Sequence, residues 1–249
     1  MLVIGKMDMD LRKFLQQNHN GLTWKERTKI AYEIINALYF IQKENAIHRD
    51  LHSGNVLYSQ FNNTWRISDL GFCGPANKSS KCIYGNLPYI APEIITGREY
   101  TFASDIYSIA ILMWEISSGQ PPFINYEDSD ILMNIISGIR PKIVSGTPLE
   151  YTNLMKQCWD ADPLKRPDIG TLVKKMREIS LYYQNTINES TQAQLDNNIE
   201  RNKTSSKLFT SKIHQFENLP EPRNATEGIL CITNSKIYYF LIILLLILF

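Results

Sequence analysis

Apolar side chains recur with helical spacing shortly after the start of the chain. Thr23 and Glu26 are placed like the two members of a capping box, in which each side chain bonds the other residue's backbone N–H. Four apolar residues then follow at intervals that share one helix face: Ile30, Ile34, Leu38 and Ile41. The pattern predicts an amphipathic helix that begins near residue 24 and buries one stripe in a core.

Further patterns predict a mainly α-helical domain with a short β-hairpin. Residues 56–58 and 65–67 look like two short strands separated by the turn-forming Asn62 and Asn63. Residues 105–116 are apolar on nearly every side but too short to cross a bilayer, which predicts a helix buried in a globular core and ended by Gly119. Three more helices are predicted at residues 128–136, 149–159 and 168–179, the last capped by Asp168.

The composition divides the chain into three regions. Residues 1–181 carry the periodic apolar positions and predict one globular domain. Residues 182–227 are rich in Asn, Gln, Thr and Ser without a sustained apolar period, which predicts a polar, disordered linker. Residues 228–249 end in an uninterrupted apolar run and predict a hydrophobic C-terminal helix.

The apolar end has two interpretations. Residues 237–249 would cover only about 20 Å as a helix, whereas residues 228–249 are long enough to span but include Lys236. A cytosolic domain anchored to a membrane by this tail is one interpretation. The other is an aberrant terminus of an open reading frame.

Charge and cysteine content narrow the function classes. A net charge of +1 supplies no global field that would recruit nucleic acid, so no nucleic-acid partner is expected. The cysteines lie far apart without paired metal spacing, which favours reduced thiols and a cytoplasmic location: Cys73, Cys82, Cys158 and Cys231.

Three short motifs in a fixed order carry the chemistry. Residues 48–55 read His-Arg-Asp-Leu-His-Ser-Gly-Asn, and residues 69–71 and 91–93 read Asp-Leu-Gly and Ala-Pro-Glu. Each triplet is weak alone, but together at these intervals they resemble the catalytic loop, metal-binding turn and substrate-side turn of a protein kinase.

The resemblance covers residues 1–181, which are similar to the hinge and C-terminal lobe of kinases in the tyrosine-kinase-like Ser/Thr group. Residues 104–108 resemble the start of the family's buried central helix, and residues 158–167 resemble its last turn. The resemblance implies that Asp105 bonds the catalytic-loop backbone and that Arg166 pairs with Glu93. It also implies that His48 and Leu70 pack in an internal apolar column.

The chemistry of phosphoryl transfer assigns candidate roles to the motif residues. Asp50 is the candidate base for a substrate hydroxyl. Asn55 and Asp69 are candidate ligands of Mg²⁺, which prefers hard oxygen donors. Gly71 would allow the turn behind Asp69 unusual dihedral angles. His52 is a further candidate, either as a phosphate donor when protonated or as a merely solvated ring.

The resemblance also implies an ATP site and protein substrates. Residues 2–7 are similar to the hinge that reads adenine, with Gly5 and Met7 offering main-chain groups and Leu57 lying under the ring. Ser79, Ser80 and Tyr84 are candidate phosphoacceptors in an activation segment, with Arg49 as the receiver of their phosphate. The alternative for that stretch is a plain polar loop.

Two departures from the family pattern leave the activity open. The printed sequence has no glycine loop or phosphate-binding lysine ahead of the hinge, so very little turnover and negligible Mg²⁺–ATP binding are expected of this polypeptide alone. His52 and Asn86 also stand where Ser/Thr members have Lys and Thr. The expectations are therefore a Ser/Thr protein kinase, a non-catalytic binding module (pseudokinase), or a truncated record of a longer kinase.

Overall fold

The computed structural model describes residues 7–75, 83–185, 210–214, 216 and 219–224. Its β-strands are β1 Met9–Asp10, β2 Ala46–Ile47, β3 Val56–Ser59, β4 Thr64–Ile67, β5 Gly74–Pro75, β6 Ile83–Gly85 and β7 Lys212–His214. Its α-helices are α1 Leu11–Asn18, α2 Trp24–Lys43, α3 Pro92–Ile95, α4 Phe102–Ser118, α5 Asp128–Ile136, α6 Leu149–Cys158 and α7 Ile169–Asn185.

Helix α2 begins as the sequence predicts. The Thr23 side chain accepts from the Glu26 N–H, and the Glu26 carboxylate accepts from the Thr23 N–H at 2.8 Å. Ile30, Ile34 and Leu38 are buried on its inner face, against α7 and α4. The capping box therefore sets where the helix starts, and the apolar stripe sets how it packs.

Helix α4 is the centre of the core. Every residue from 104 to 117 is buried, and Gly119 ends the helix in a left-handed conformation with φ of 70°. The helix starts three residues before the predicted range, at the half-buried Phe102, and ends two after it, at the half-buried Ser118. The prediction for α5 is confirmed, α6 ends one residue early, and α7 continues to Asn185 while Met176 and Ser180 remain buried.

Short strands position the loops. The predicted hairpin is confirmed as β3 and β4, which pair antiparallel, and β1 adds to the free edge of β3. Strand β2 pairs with β5. This pairing places Gly74 and Pro75, which follow the 69–71 motif, beside Ala46 and Ile47, which precede the 48–55 loop.

The predicted linker differs from the structure in part. Residues 212–214 form β7, antiparallel to β6, and residues 219–224 also lie against the helical domain. Polar composition alone predicted disorder here, because the pairing partner lies more than 120 residues earlier. Gly5, Ser79, Ser80 and the tail 228–249 lie outside the described residues. Among the residues that are described, no helix is long and apolar enough to cross a membrane.

One buried ion pair ties the 91–93 motif to the chain before α7. Arg166 donates from two guanidinium nitrogens to the two carboxylate oxygens of Glu93, each at 2.7 Å. Arg166 also donates to the carbonyl oxygens of Asp160 and Ala103, both at 2.8 Å. The predicted pair therefore has the geometry that a buried charge requires.

Removal of Arg166 should strongly destabilise the domain. Because the guanidinium is fully buried, Arg166→Ala leaves Glu93 uncompensated and should lower the unfolding free energy by about 3–5 kcal/mol in urea titrations. The matched control Lys29→Ala removes a partly exposed pair with Glu33 and should cost less than about 1 kcal/mol. Equal losses for the two variants would contradict the role given to the buried pair.

Candidate active site

A buried carboxylate on α4 fixes the 48–55 loop. Asp105 accepts from the backbone N–H of His48 at 2.8 Å and of Arg49 at 3.0 Å. Burial raises the pKa of Asp105 to about 6, while these two donors oppose the rise. Arg49 adopts a left-handed conformation with φ of 73°, which this double hydrogen bond holds in place.

The loop holds the buried Asp50 beside Asn55, in a region, here called the cleft, that Asp50, Asn55 and Asp69 border. Asn55 donates to the Asp50 carbonyl oxygen at 2.9 Å and lies 3.4 Å from its carboxylate Oδ2. Burial raises the pKa of Asp50, the charge of Asp69 adds to the rise, and hydrogen bonds from Ser211, Asn86 and Asn55 oppose it. Asp50 is thus a carboxylate in a nearly dry site that still has defined donors.

Hydrogen bonds bring the 69–71 turn to the same cleft. Ser68 donates from both its backbone N–H and its hydroxyl to the Asn55 carbonyl oxygen, at 2.8 and 3.0 Å. The Nδ1 of His48 accepts from the Asp50 N–H, so its Nε2 carries the proton and donates to the Ser68 carbonyl oxygen at 2.9 Å. The candidate residues Asp50, Asn55 and Asp69 therefore lie around one cleft.

Two details of this turn correct the sequence predictions. The residue with unusual dihedrals is Asp69 itself, at φ 58° and ψ 61°, and not Gly71. Leu70 is 56% exposed, so it does not pack in an internal column with the buried His48. The left-handed Asp69 aims the following residue outward, which a sequence motif does not reveal.

His52 is buried and neutral. Its Nδ1 accepts from the Gly54 N–H at 3.1 Å, so the ring proton is on Nε2, which lies 3.7 Å from Asp50 Oδ1. Burial lowers its pKa to about 3, and the charge of Arg12 acts in the same direction. The ring is buried and therefore not merely solvated, whereas its role as a phosphate donor stays a prediction.

Of the candidate nucleotide residues, Met7 precedes the edge strand β1, whereas Leu57 lies on the central strand β3. Asp8, next to Met7, donates from its N–H to the Tyr58 carbonyl oxygen at 2.9 Å. Met7 and Leu57 are both half-buried, and Leu57 pairs with Asp10 across β1 and β3. The described end of the candidate hinge therefore leads into the strand that pairs with Leu57, which lies two residues beyond Asn55.

The donor chemistry fits Mg²⁺ at Asn55 and Asp69. The Asn55 amide nitrogen is committed to Asp50, which leaves its oxygen to face the cleft, and the exposed Asp69 carboxylate does not cap the helical turn that follows it. Among the described residues, no group of three or more His, Cys, Asp or Glu could hold a metal. Mg²⁺ on nucleotide phosphates needs only one or two protein carboxylates, so the two residues suffice.

A buried polar chain behind the loop has no counterpart in the sequence predictions. Arg12 donates to the Ser53 hydroxyl at 3.2 Å, the Ser53 and Tyr89 hydroxyls are 3.3 Å apart, and Tyr89 donates to Glu115 at 2.6 Å. Burial raises the pKa of Glu115. The available clue was a glutamate inside the apolar run 105–116.

Ser211 was also missed. Its hydroxyl donates to Asp50 Oδ1 at 2.8 Å and lies 3.1 Å from His52 Nε2, although 161 residues separate it from Asp50. A lone serine in a polar stretch offers no sequence clue to this contact.

Comparison with known proteins supports the same assignment. A family described as protein tyrosine and serine/threonine kinase matches residues 1–176. The chain is 32% identical over 192 residues to the dual specificity protein kinase zakA of Dictyostelium discoideum, covering 70% of this chain and 25% of that protein. It is 35% identical over 184 residues to the mouse dual serine/threonine and tyrosine protein kinase, covering 72% of this chain and 19% of that protein.

The chain belongs to the protein kinase family. It spans a quarter or less of the length of these curated relatives. Within the kinase domain, strand β6 is held by Tyr100, whose hydroxyl donates to the Tyr84 carbonyl oxygen at 2.7 Å. The Tyr84 ring stacks on Phe72 at 3.7 Å between centroids, and the Arg49 guanidinium lies 5.8 Å from the Tyr100 ring centre.

We expect the His52 ring to remain neutral in the folded kinase domain from pH 8 to pH 5. An unfolded histidine takes up its proton near pH 6.5, whereas folded His52 does so near 3. Its contribution to stability is therefore complete above pH 6.5 and is lost progressively as the pH falls toward 3. NMR of the ring C–H resonances, assigned with His52→Gln, measures this directly. A midpoint near pH 6.5 for the His52 resonance would be the contrary result.

Proposed function

We propose that the protein transfers the γ-phosphate of ATP to serine or threonine hydroxyls of other proteins, with Asp50 as the base. The observation that carries this proposal is the Ser211 hydroxyl at 2.8 Å from Asp50 Oδ1, which is where an acceptor hydroxyl must lie. Family membership supports the reaction class. The activity, substrates and partners of the whole protein are all part of this proposal.

Asp50 would orient the acceptor and take its proton. Its pKa is raised by burial and by Asp69, so the carboxylate is a better proton acceptor than an exposed aspartate. General-base assistance of this kind contributes roughly 10²–10⁴-fold to a rate. Asn55 and the Asn86 N–H would keep the carboxylate in one orientation while the proton moves.

His52 would position the acceptor hydroxyl. Its neutral ring carries a proton on Nε2, which donates to an oxygen that itself donates to Asp50. A substrate hydroxyl that accepts a hydrogen bond from His52 and donates one to Asp50 has its remaining lone pair directed away from both side chains. His52 stands where typical Ser/Thr kinases have a lysine. In this proposal His52 contacts the acceptor hydroxyl of the substrate and not the phosphate.

Asn55 and Asp69 would hold Mg²⁺, which when bound neutralises the phosphate charges and orients the γ-phosphate. The main-chain groups of Gly5 and Met7 and the side chain of Leu57 would contact the adenine ring. These nucleotide and metal roles, and a kinase domain that covers residues 1–181, complete the proposal. A cytoplasmic location is proposed with it.

Substitution at Asp50 and Asp69 should separate proton transfer from nucleotide binding. In the complete protein expressed from its own gene, Asp50→Asn should lower kcat for a Ser/Thr peptide library at least ~100-fold with Mg²⁺–ATP affinity retained. Asp69→Asn should instead weaken Mg²⁺-dependent ATP binding in calorimetry. The control Asp130→Asn, an exposed carboxylate on α5, should change neither quantity.

The same assays identify the rival functions. Full activity in Asp50→Asn would remove Asp50 from the mechanism. A folded protein that neither binds Mg²⁺–ATP nor labels any peptide would be a binding module and not an enzyme. Labelling confined to tyrosine peptides would overturn the proposed Ser/Thr preference.

A further inference from the structure

A C-terminal stretch returns to the catalytic cleft as a strand. β7 pairs antiparallel with β6, placing His214 opposite Ile83 and Lys212 opposite Gly85. The His214 ring nitrogen also lies 3.1 Å from the Gly85 carbonyl oxygen. Strand addition to a free edge is a general mode of peptide recognition, in which main-chain bonds supply affinity. Residues 212–214 therefore bind the activation segment as an extended peptide does.

The residue that enters this strand carries its hydroxyl to the base. Ser211 lies immediately before β7 and is half-buried, donating to Asp50 Oδ1 at 2.8 Å and facing His52 Nε2 at 3.1 Å. Thr210, which also has a hydroxyl, is exposed. Of these two adjacent hydroxyls, the register of the β6–β7 pair places that of Ser211 in the position that a nucleophile would occupy.

Contacts beyond the strand hold the same stretch along the helical domain. Phe216 and Leu219 pack against the core as partly buried apolar side chains. Polar contacts then continue to residue 224: Lys212 with Asp128 at 3.3 Å, Glu221 with Arg98 at 2.7 Å, the Arg223 N–H with the Ile136 carbonyl at 3.0 Å, and Asn224 with the Ala161 N–H at 2.8 Å and with Asp160 at 2.9 Å. The exposed ion pairs contribute little, whereas the apolar and main-chain contacts supply most of the attraction.

We propose that the stretch containing residues 210–214, 216 and 219–224 is an intramolecular substrate segment and that Ser211 is phosphorylated in cis. The inference rests on the proposed function. The Ser211 oxygen forms a bond to the γ-phosphorus of ATP as the bond from that phosphorus to the β,γ-bridging oxygen breaks and ADP leaves with the electron pair. The Ser211 hydroxyl proton passes to the Asp50 carboxylate.

We expect the phosphorylated Ser211 to leave the cleft. A phosphoserine carries a charge of about −1.5 to −2 at pH 7, and here it would lie beside the Asp50 and Asp69 carboxylates. Like-charge repulsion then separates the segment from β6. The unphosphorylated segment covers the surface on which other proteins would bind, and phosphorylation of Ser211 uncovers it.

Occupancy of the surface is tested without nucleotide. Tyr84 exchanges its main-chain hydrogen bonds with the Tyr100 hydroxyl, so the main chains of β6 and β7 bond through the flanking pairs, of which Gly85 and Lys212 form one. In the full 249-residue chain, Lys212→Pro removes an N–H that faces β6 and should increase amide exchange at residues 83 and 85 at least ~10-fold. Lys212→Ala is the matched control, because the Lys212 side chain is 57% exposed and Ala keeps the backbone donor. Unprotected amides at residues 83 and 85 in the wild-type chain, or equal exchange in the two variants, would overturn the docking.

The transfer is tested in the complete protein with Mg²⁺–ATP, after removal of pre-existing phosphate. Mass spectrometry should find phosphate on Ser211, and the fraction modified per minute should not depend on protein concentration. Ser211→Ala should remove that phosphopeptide, whereas Thr210→Ala should leave the rate within about twofold, since Thr210 does not contact Asp50. A rate per molecule that rises with protein concentration would overturn the cis assignment.

An added Ser/Thr peptide in the same reaction separates the two proposals. Labelled peptide with unmodified Ser211 would overturn the intramolecular substrate while the proposed function stands. Absence of label on both would overturn the proposed function, and the phosphoacceptor role of Ser211 with it.

Discussion

The conformation of the 48–55 loop depends on one buried carboxylate that holds two backbone amides. Asp105 fixes His48 and Arg49, and the strained Arg49 backbone persists because both N–H groups point at the same acid. Burial of an acid is unfavourable and raises the pKa of Asp105 to about 6. The buried Asp105 therefore lowers the stability of the fold while it keeps the loop in one conformation. The His48 ring donates to the Ser68 carbonyl oxygen, and the Ser68 hydroxyl donates to the Asn55 carbonyl oxygen, so the fixed loop also positions these two residues.

The cleft combines a dry floor with an open rim. Asp50 is 3% exposed, whereas Asp69 is exposed and free of a capping role. In the proposed function, the buried carboxylate would accept a proton and the exposed one would bind the cation that arrives with phosphate. Two aspartates would thus take different roles because their surroundings differ, and neutral His52 would add a donor without adding a charge.

Local patterns predicted most of the helical framework, and long-range contacts explain most of what they missed. The Thr23 capping box and the apolar run in α4 act within one element, so the sequence reveals them directly. The pairs Glu93–Arg166 and Asp105–His48 were predicted through family resemblance. The outward turn of Leu70 depends on the backbone of Asp69, and the placement of Ser211 depends on a strand pair that joins distant parts of the chain. Neither leaves a periodic pattern.

The close approach of β6 to Asp50 bears on which proteins the proposed function would act upon. Gly85 adopts φ of 144°, and a Cβ there would lie 3.5 Å from Asp50 Oδ1, so the strand edge runs within contact of this carboxylate oxygen. In the proposed function, β7 would meet this edge as part of the same chain, at the higher effective concentration of an intramolecular partner. A separate protein would replace β7 only through side-chain contacts that β7 lacks. Selectivity among protein substrates would then depend on the affinity of β7 for β6 as much as on the cleft itself.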